Sequence, residues 1–194
     1  MKNQTLNYYN ENAEEFFTST KDANMQELYI AFTGYIPSGG HILDLGCGSG
    51  RDSKTFIDMG YLVTAIDGSR ELCELASAYI GKEVYCMDFM NVDYDNLFDG
   101  VWACASLLHV DKESIEDVLA KVFKSIKPNG VLYTSFKEGT QEREHNGRFF
   151  NDYTEETLKP LLESSGFKIE KMFITGDVRE GRASEKWVNA IVKK

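Results

Sequence analysis

The stretch HILDLGCGSGRD, residues 41–52, sets a strand-length apolar run and Asp44 directly before three glycines, Gly46, Gly48 and Gly50. Glycine adopts φ > 0 without steric cost, and with no side chain it lets a ligand approach the backbone N–H groups. An ordinary tight strand–helix turn would account for a single G-x-G. Two further runs, YLVTAID and EVYCMD, also end on acids, Asp67 and Asp88, and Asp67 falls 21 residues after Gly46. An acid about 20 residues beyond a glycine turn, at the end of the next strand, is placed to accept from the two ribose hydroxyls of a nucleoside. In a doubly wound sheet ligands bind beyond the carboxyl ends of the strands, where the strand order reverses. The pattern therefore points to a nucleoside site on an open α/β sheet.

The rest of the chain supplies that sheet. Helical spacing over 7–18 and 22–35 is anchored by Phe16, Phe17, Leu28, Tyr29 and Phe32. Then follow a strand at 41–45, a helix at 51–59, a strand at 61–66, a helix from Ser69 to about Ile80 and strands at 83–87 and 99–104. A helix at 112–127 carries Ile115, Val118, Leu119, Val122, Phe123 and Ile126 at 3–4 spacing and ends at KPNG. A strand at 130–136, a loop, a helix at 154–165 and two terminal strands complete the chain. Strands alternating with helices predict a mostly parallel sheet covered on both faces, with an antiparallel hairpin at the C-terminal edge.

The ligand is narrowed by what the turn lacks. A dinucleotide fingerprint is G-x-G-x-x-G, and its third glycine lets a pyrophosphate pack against the helix. Here that position is Arg51, which argues against a nicotinamide-linked oxidoreductase and for a nucleoside ligand with no phosphate.

With ILDLGCGSGRD followed by VTAIDGS, CMDFMNV and FDGVWACASLLHV, the chain resembles the class I S-adenosylmethionine-dependent methyltransferases, strongly over about residues 38–136. It is most similar to the small single-domain bacterial ones, the tellurite-resistance type among them. The resemblance implies a Rossmann-like α/β fold, a seven-stranded sheet in the order 3-2-1-4-5-7-6 with the last strand antiparallel. It implies one methyltransferase domain over 1–194, with residues 1–35 as a helical lid on a core of 36–194, and S-adenosyl-L-methionine as cofactor. The turn from Gly46 through Cys47, Gly48 and Gly50 to Arg51 would hold the methionine part, with Asp44 fixing its amino group. Asp67 would take the ribose hydroxyls, bordered by Gly68 and Ser69, and Asp88 the adenine amino group, with Phe89 beside the ring. Ala105, Ser106 and Leu107 would line the methionine end, and Tyr9 of the lid would reach the cofactor carboxylate.

Methyl transfer from a sulfonium needs alignment more than acid–base help, and held geometry alone supplies on the order of 7–11 kcal/mol. His109, just past the cofactor-lining segment, is the candidate proton acceptor, its alternative being a packing role. Tyr8 and Tyr9 have the alternative of an aromatic pair packed on the sheet. The 137–150 loop lies where acceptor loops of such enzymes lie. Arg148, and Arg179 or Arg182 further on, are candidates for an anionic acceptor group, with solvated surface arginines as the alternative.

Amino-methylating DNA and RNA enzymes carry a proline-containing segment after the fourth strand, where this chain has CASLLHV, and cytosine C5 enzymes need Pro-Cys, whereas Cys104 follows alanine. A net charge of −10 would repel a phosphate backbone. Cys47, Cys73, Cys86 and Cys104, read as reduced and mostly buried, and the three histidines lack metal-ligand spacing, so no metal is expected. No apolar run approaches the roughly 20 residues that cross a bilayer, and the polar, acidic start is unlike a signal peptide. The expectation is a cytoplasmic enzyme, monomer or homodimer, with a small-molecule O, N, S or metalloid acceptor and no nucleic-acid or membrane partner. A protein or tRNA methyltransferase, or a regulator that binds the cofactor without turnover, is the alternative.

Overall fold

The computed structural model describes residues 3–179, 181–182 and 184–194. Its strands are β1 (His41–Leu45), β2 (Leu62–Asp67), β3 (Val84–Cys86), β4 (Phe98–Ala103), β5 (Ile126–Lys137), β6 (Glu142–His145), β7 (Arg148–Asn151), β8 (Lys168–Gly176) and β9 (Lys186–Lys193). The helices are α1 (Asn3–Glu11), α2 (Ala13–Thr20), α3 (Gln26–Thr33), α4 (Arg51–Asp58), α5 (Arg70–Ile80), α6 (Ile115–Ser125) and α7 (Glu155–Ser164). Seven strands form one sheet in the order β3-β2-β1-β4-β5-β9-β8, parallel from β3 to β5, with β9 antiparallel to both its neighbours. Counting only the strands of this sheet, that is the expected order. It reverses direction between β1 and β4, so the mouth of the sheet opens beyond Leu45 and Ala103.

Strand alternation sorts the core onto two faces. On β1, Ile42 faces a cluster with Tyr29 and Phe32 of α3, Phe56 of α4, Trp102 and Tyr133, while Leu43 and Leu45 face α6 and α7 residues such as Val118, Leu119, Leu158 and Leu162. Asp44 shares Ile42's parity and so points into the layer of α3, α4 and α5.

Several expected boundaries shift. The helix expected over 7–18 is two, broken at Asn12, whose φ of −117° and ψ of 21° leave the helical region. The helix expected at 112–127 stops at Ser125, and β5 begins at once, bulging around Pro128 and Asn129 where its register shifts opposite Phe98 and Gly100 of β4. The expected 137–150 loop contains the antiparallel hairpin β6–β7. Its turn is Asn146-Gly147, both left-handed at φ 48° and 74°, a pair suited to a two-residue hairpin turn.

Within residues 1–35, α3 packs part of its face into the sheet. Tyr29 and Phe32 of α3 are 3% and 0% exposed, because an aromatic helix face packs into the sheet more favourably than it can cover a polar mouth. Tyr9 of α1, Phe16 and Thr20 of α2 and Leu28 of α3 are turned toward the opening. No helix among the described residues is long and apolar enough to cross a membrane.

Candidate active site

The turn after β1 is built on left-handed glycines. Gly46 has φ 81°, and a Cβ there would lie 2.5 Å from Cβ of Ser106, so no other residue lets the β4 loop come this close. Its N–H and that of Cys47 donate to the Ile66 carbonyl at 2.9 and 3.0 Å, tying the turn to β2. Gly50, φ 77°, opens α4, and a Cβ there would meet Ala76 and Ile80 of α5 at 3.1 and 3.0 Å. The third glycine thus serves helix packing.

Two buried carboxylates lie beneath this turn. Asp52 accepts from Arg51 Nε at 2.6 Å and Nη2 at 2.9 Å, from Trp102 Nε1 at 2.8 Å and from the Tyr29 hydroxyl. Burial alone would raise its pKa, but these donors, led by the Arg51 charge, hold it below the usual carboxylate value. Among the described residues Asp44 accepts only from Ser53 Oγ, at 2.6 Å, and burial followed by repulsion from Asp52 pushes it up to about 8. At neutral pH Asp44 is thus mostly protonated, and an ammonium group brought beside it would favour the ionised carboxylate.

Asp67, at the end of β2, accepts from Gly48 N–H at 2.9 Å and Ser69 N–H at 2.8 Å. Burial raises its pKa while these amides, with that of Gly68, oppose the rise. A carboxylate offers about four lone-pair sites, so the amides leave room for a hydroxyl donor. Asp88 caps a single turn at 89–91 by accepting from Met90 N–H at 2.8 Å, and Phe89 is buried beneath.

After β4, Ala105 takes φ 53° and donates its N–H to Ser135 Oγ at 2.9 Å. Ser106 Oγ is buried without a hydrogen-bond partner among the described residues. His109 is 3% exposed, with Nδ1 2.6 Å from the Phe149 carbonyl and Nε2 2.9 Å from the Tyr9 hydroxyl. A carbonyl can only accept, so Nδ1 carries the hydrogen. Burial pushes the imidazolium down to about 4, so the ring is neutral at pH 7 and Nε2 is an acceptor, to which Tyr9 donates. Around Tyr9, α1 is held by Phe149 N–H donating to Thr5 Oγ1 at 3.0 Å and by Ser69 Oγ donating to Asn10 Oδ1 at 2.7 Å.

These parts enclose a cavity of about 760 Å³. Of the sequence-derived residues, Tyr9, Gly46, Cys47, Gly48, Arg51, Asp67, Phe89, Ala105, Ser106 and His109 line it. Asp44, Gly50, Gly68, Ser69 and Asp88 lie behind or beside the wall. Leu107, expected on it, is 0% exposed and turned into the core, since the single turn at 107–109 sends Leu108 and His109 to the cavity instead. Arg51, expected at the cofactor, spends its guanidinium on Asp52. The arginine candidates Arg148, Arg179 and Arg182 line it as well, whereas Asp52, Phe16, Ser135 and, on the β6–β7 hairpin, Arg143, His145, Asn146 and Phe150 were missed as lining residues, the Asn-Gly turn giving the hairpin's one local signal. Of the four thiols, Cys47 and Cys73 are buried, Cys104 is half-buried and Cys86 is exposed.

A family model described as "Methyltransferase domain" matches residues 42–130, which run from β1 through the glycine turn and Asp67 to the start of β5. Residues 42–130 of this chain form a methyltransferase domain. Over 114 residues the chain is 32% identical to the putative methyltransferase YqeM of Bacillus subtilis, a match covering 53% of this chain and 46% of that protein. Over 99 residues it is 32% identical to the ubiquinone biosynthesis O-methyltransferase of Rickettsia conorii, covering 48% of this chain and 34% of the relative. The chain therefore spans less than half the length of these relatives. Among solved structures, the 1,6-didemethyltoxoflavin-N1-methyltransferase of Burkholderia thailandensis, with S-adenosylhomocysteine bound, superposes with a TM-score of 0.78 at 21% identity, over 96% of this chain and 84% of that one. That likeness concerns the fold.

Proposed function

We propose that the chain transfers a methyl group from S-adenosylmethionine to a small-molecule acceptor held in the cavity. The observation that carries this is that one cavity brings together a glycine turn with Asp67 and the Nε2 lone pair of a neutral histidine. The residues present fit the cofactor. The turn packs closely on Ser106, Ser106 Oγ is a buried donor without a partner among the described residues, and Asp67 keeps acceptor capacity. Asp67 would hold the ribose hydroxyls and the Gly46–Gly50 turn the methionine portion. Asp44 would ionise opposite the amino group, and Phe89 would border the adenine, with Asp88 beside it. Bound there, the cofactor supplies an electrophilic methyl group on a sulfonium.

His109 takes the proton that the acceptor loses. A base titrating near 4 is weak, yet an O–H or N–H becomes strongly acidic as its heavy atom bonds to carbon, so a weak base correctly placed suffices. Phe149 O fixes the tautomer that leaves Nε2 free for this task, and the acceptor takes the place of the Tyr9 hydroxyl there. The α1–α2 segment acts as the lid that excludes water while the transfer occurs.

The test is His109→Asn, whose amide can still donate to Phe149 O but offers no acceptor at the Nε2 position. S-adenosylhomocysteine affinity should stay close to wild type, while turnover on an O–H or N–H acceptor falls about 10²- to 10⁴-fold. Full turnover in this variant would make the histidine structural and leave catalysis to positioning alone.

A further inference from the structure

Five arginines line the cavity, and four are already neutralised: Arg51 by Asp52, Arg143 by Asp152, Arg179 by Asp177 and Arg182 by Glu185, at 2.6, 2.5, 2.6 and 3.7 Å. The fifth, Arg148, opens β7 beside the hairpin turn and pairs with no carboxylate among the described residues. Its Nε is buried without a hydrogen-bond partner among those residues. The guanidinium instead lies 4.6 Å from the Tyr8 ring centroid and 5.3 Å from that of Phe150. Ring faces hold the plane of the group, and beyond one contact with the Tyr9 hydroxyl its N–H edge, Nε included, is open to a ligand. A guanidinium donor buried without an acceptor is costly, and an acceptor arriving with a ligand removes that cost.

Its place in the cavity says which ligand. Phe16 covers the glycine turn, 3.1 Å from where a Gly48 Cβ would stand, and packs at 5.1 Å on Tyr9. Tyr9 in turn lies 5.5 Å from the His109 ring and 6.0 Å from the Arg148 guanidinium. Tyr9 therefore stands between the cofactor turn and Arg148. Phe150 bridges the two remaining groups, 5.1 Å from His109 and 5.3 Å from Arg148. A ligand carboxylate on Arg148 would lay a single small ring along Phe150 with its far substituent at His109.

We propose that Arg148 determines acceptor specificity by binding a carboxylate on a small aromatic acceptor, whose hydroxyl or amino group is thereby set at His109. This deepens the methyltransferase reading above and rests on it. The guanidinium is a positioning group: it touches the acceptor's anionic end and takes no part in bond making.

The experiment uses the full chain and isothermal titration in two stages. S-adenosylhomocysteine is titrated first into wild type, Arg148→Gln and Arg148→Lys. Hydroxybenzoates and aminobenzoates, each beside its methyl ester, are then titrated into the loaded proteins. The expected result is that at least one acid binds wild type about tenfold or more tighter than its ester. Arg148→Gln should remove that preference, with ester and S-adenosylhomocysteine affinities unchanged, and Arg148→Lys should restore it only in part, because an ammonium cannot make the bidentate contact. If no acid outbinds its ester, there is no anion subsite. If Arg148→Gln weakens S-adenosylhomocysteine by about tenfold, the arginine serves the cofactor's own carboxylate and the proposal is wrong. Failure of wild type to bind S-adenosylhomocysteine at all is a separate result that overturns the methyltransferase reading and this inference with it.

Discussion

His109 ties the stability of this protein to pH in a way that can be isolated. In the folded chain burial holds its imidazolium at about 4, and in the unfolded chain it returns to roughly 6.5. Between those values the unfolded chain binds the proton and the folded chain does not. The contribution of neutral His109 is therefore fully present above about pH 6.5 and is lost as pH falls toward about 4, close to 2 kcal/mol of it between pH 7 and pH 5. Asp44 titrates in the opposite sense: its folded value near 8 lies above that of an unfolded aspartate, so the native state binds that proton and gains stability on acidification. Because the two slopes oppose, the raw stability of wild type at pH 5 says little. His109→Asn removes one titrating group and leaves the other. Urea unfolding followed by circular dichroism, on both proteins at pH 7 and pH 5, gives four free energies, and wild type should lose about 2 kcal/mol more than the variant on acidification. If the two proteins respond alike, His109 is not held neutral by burial, and the assignment of Nε2 as acceptor from Tyr9 falls with it.

Asp67→Asn places an amide N–H₂ against the backbone N–H of Gly48 or Ser69, so it should cost about 1–3 kcal/mol of stability and weaken S-adenosylhomocysteine by roughly 10- to 150-fold. Normal affinity in a folded variant, measured by titration calorimetry, would remove Asp67 from the ribose site. Deleting residues 1–20 takes away Tyr9, the Thr5 contact to β7 and Phe16 over the glycine turn, but leaves α3 packed on the sheet. The truncated chain should fold, and with water admitted to His109 its pKa should rise toward roughly 6.5 in an NMR titration. An unfolded product would show that α1 and α2 are part of the core and not a lid.

The sheet and its mouth were readable because their signals are local. Strand runs ending on Asp44 and Asp67, with glycines between, determine both the order of elements and the place where a ligand can approach the backbone. The hairpin β6–β7 was harder, because QEREH is polar throughout and shows no apolar alternation, although Asn146-Gly147 marks its turn. What the sequence could not disclose is pairing across distance. The contact of Tyr9 with His109 spans 100 residues, and the one that fixes the histidine tautomer runs to a backbone carbonyl 40 residues on. Asp52 illustrates the same limit: next to Asp44 in space, it reads in the chain as a first-turn helix acid, and nothing local announces Trp102 and Tyr29 as its donors. Leu107 failed for a smaller reason, since one tight turn decides which of two adjacent leucines meets the cavity.

The most direct test of the account is a thermal melt of the purified chain with S-adenosylmethionine, S-adenosylhomocysteine and NAD, each near 100 times the expected dissociation constant. A ligand bound only by the native state contributes roughly 2.7 kcal/mol at that ratio, a rise of about 5–11 °C for a chain of this size. Both sulfur ligands should give that rise and NAD none, whereas a rise with NAD and none with either sulfur ligand would contradict the reading of the glycine turn.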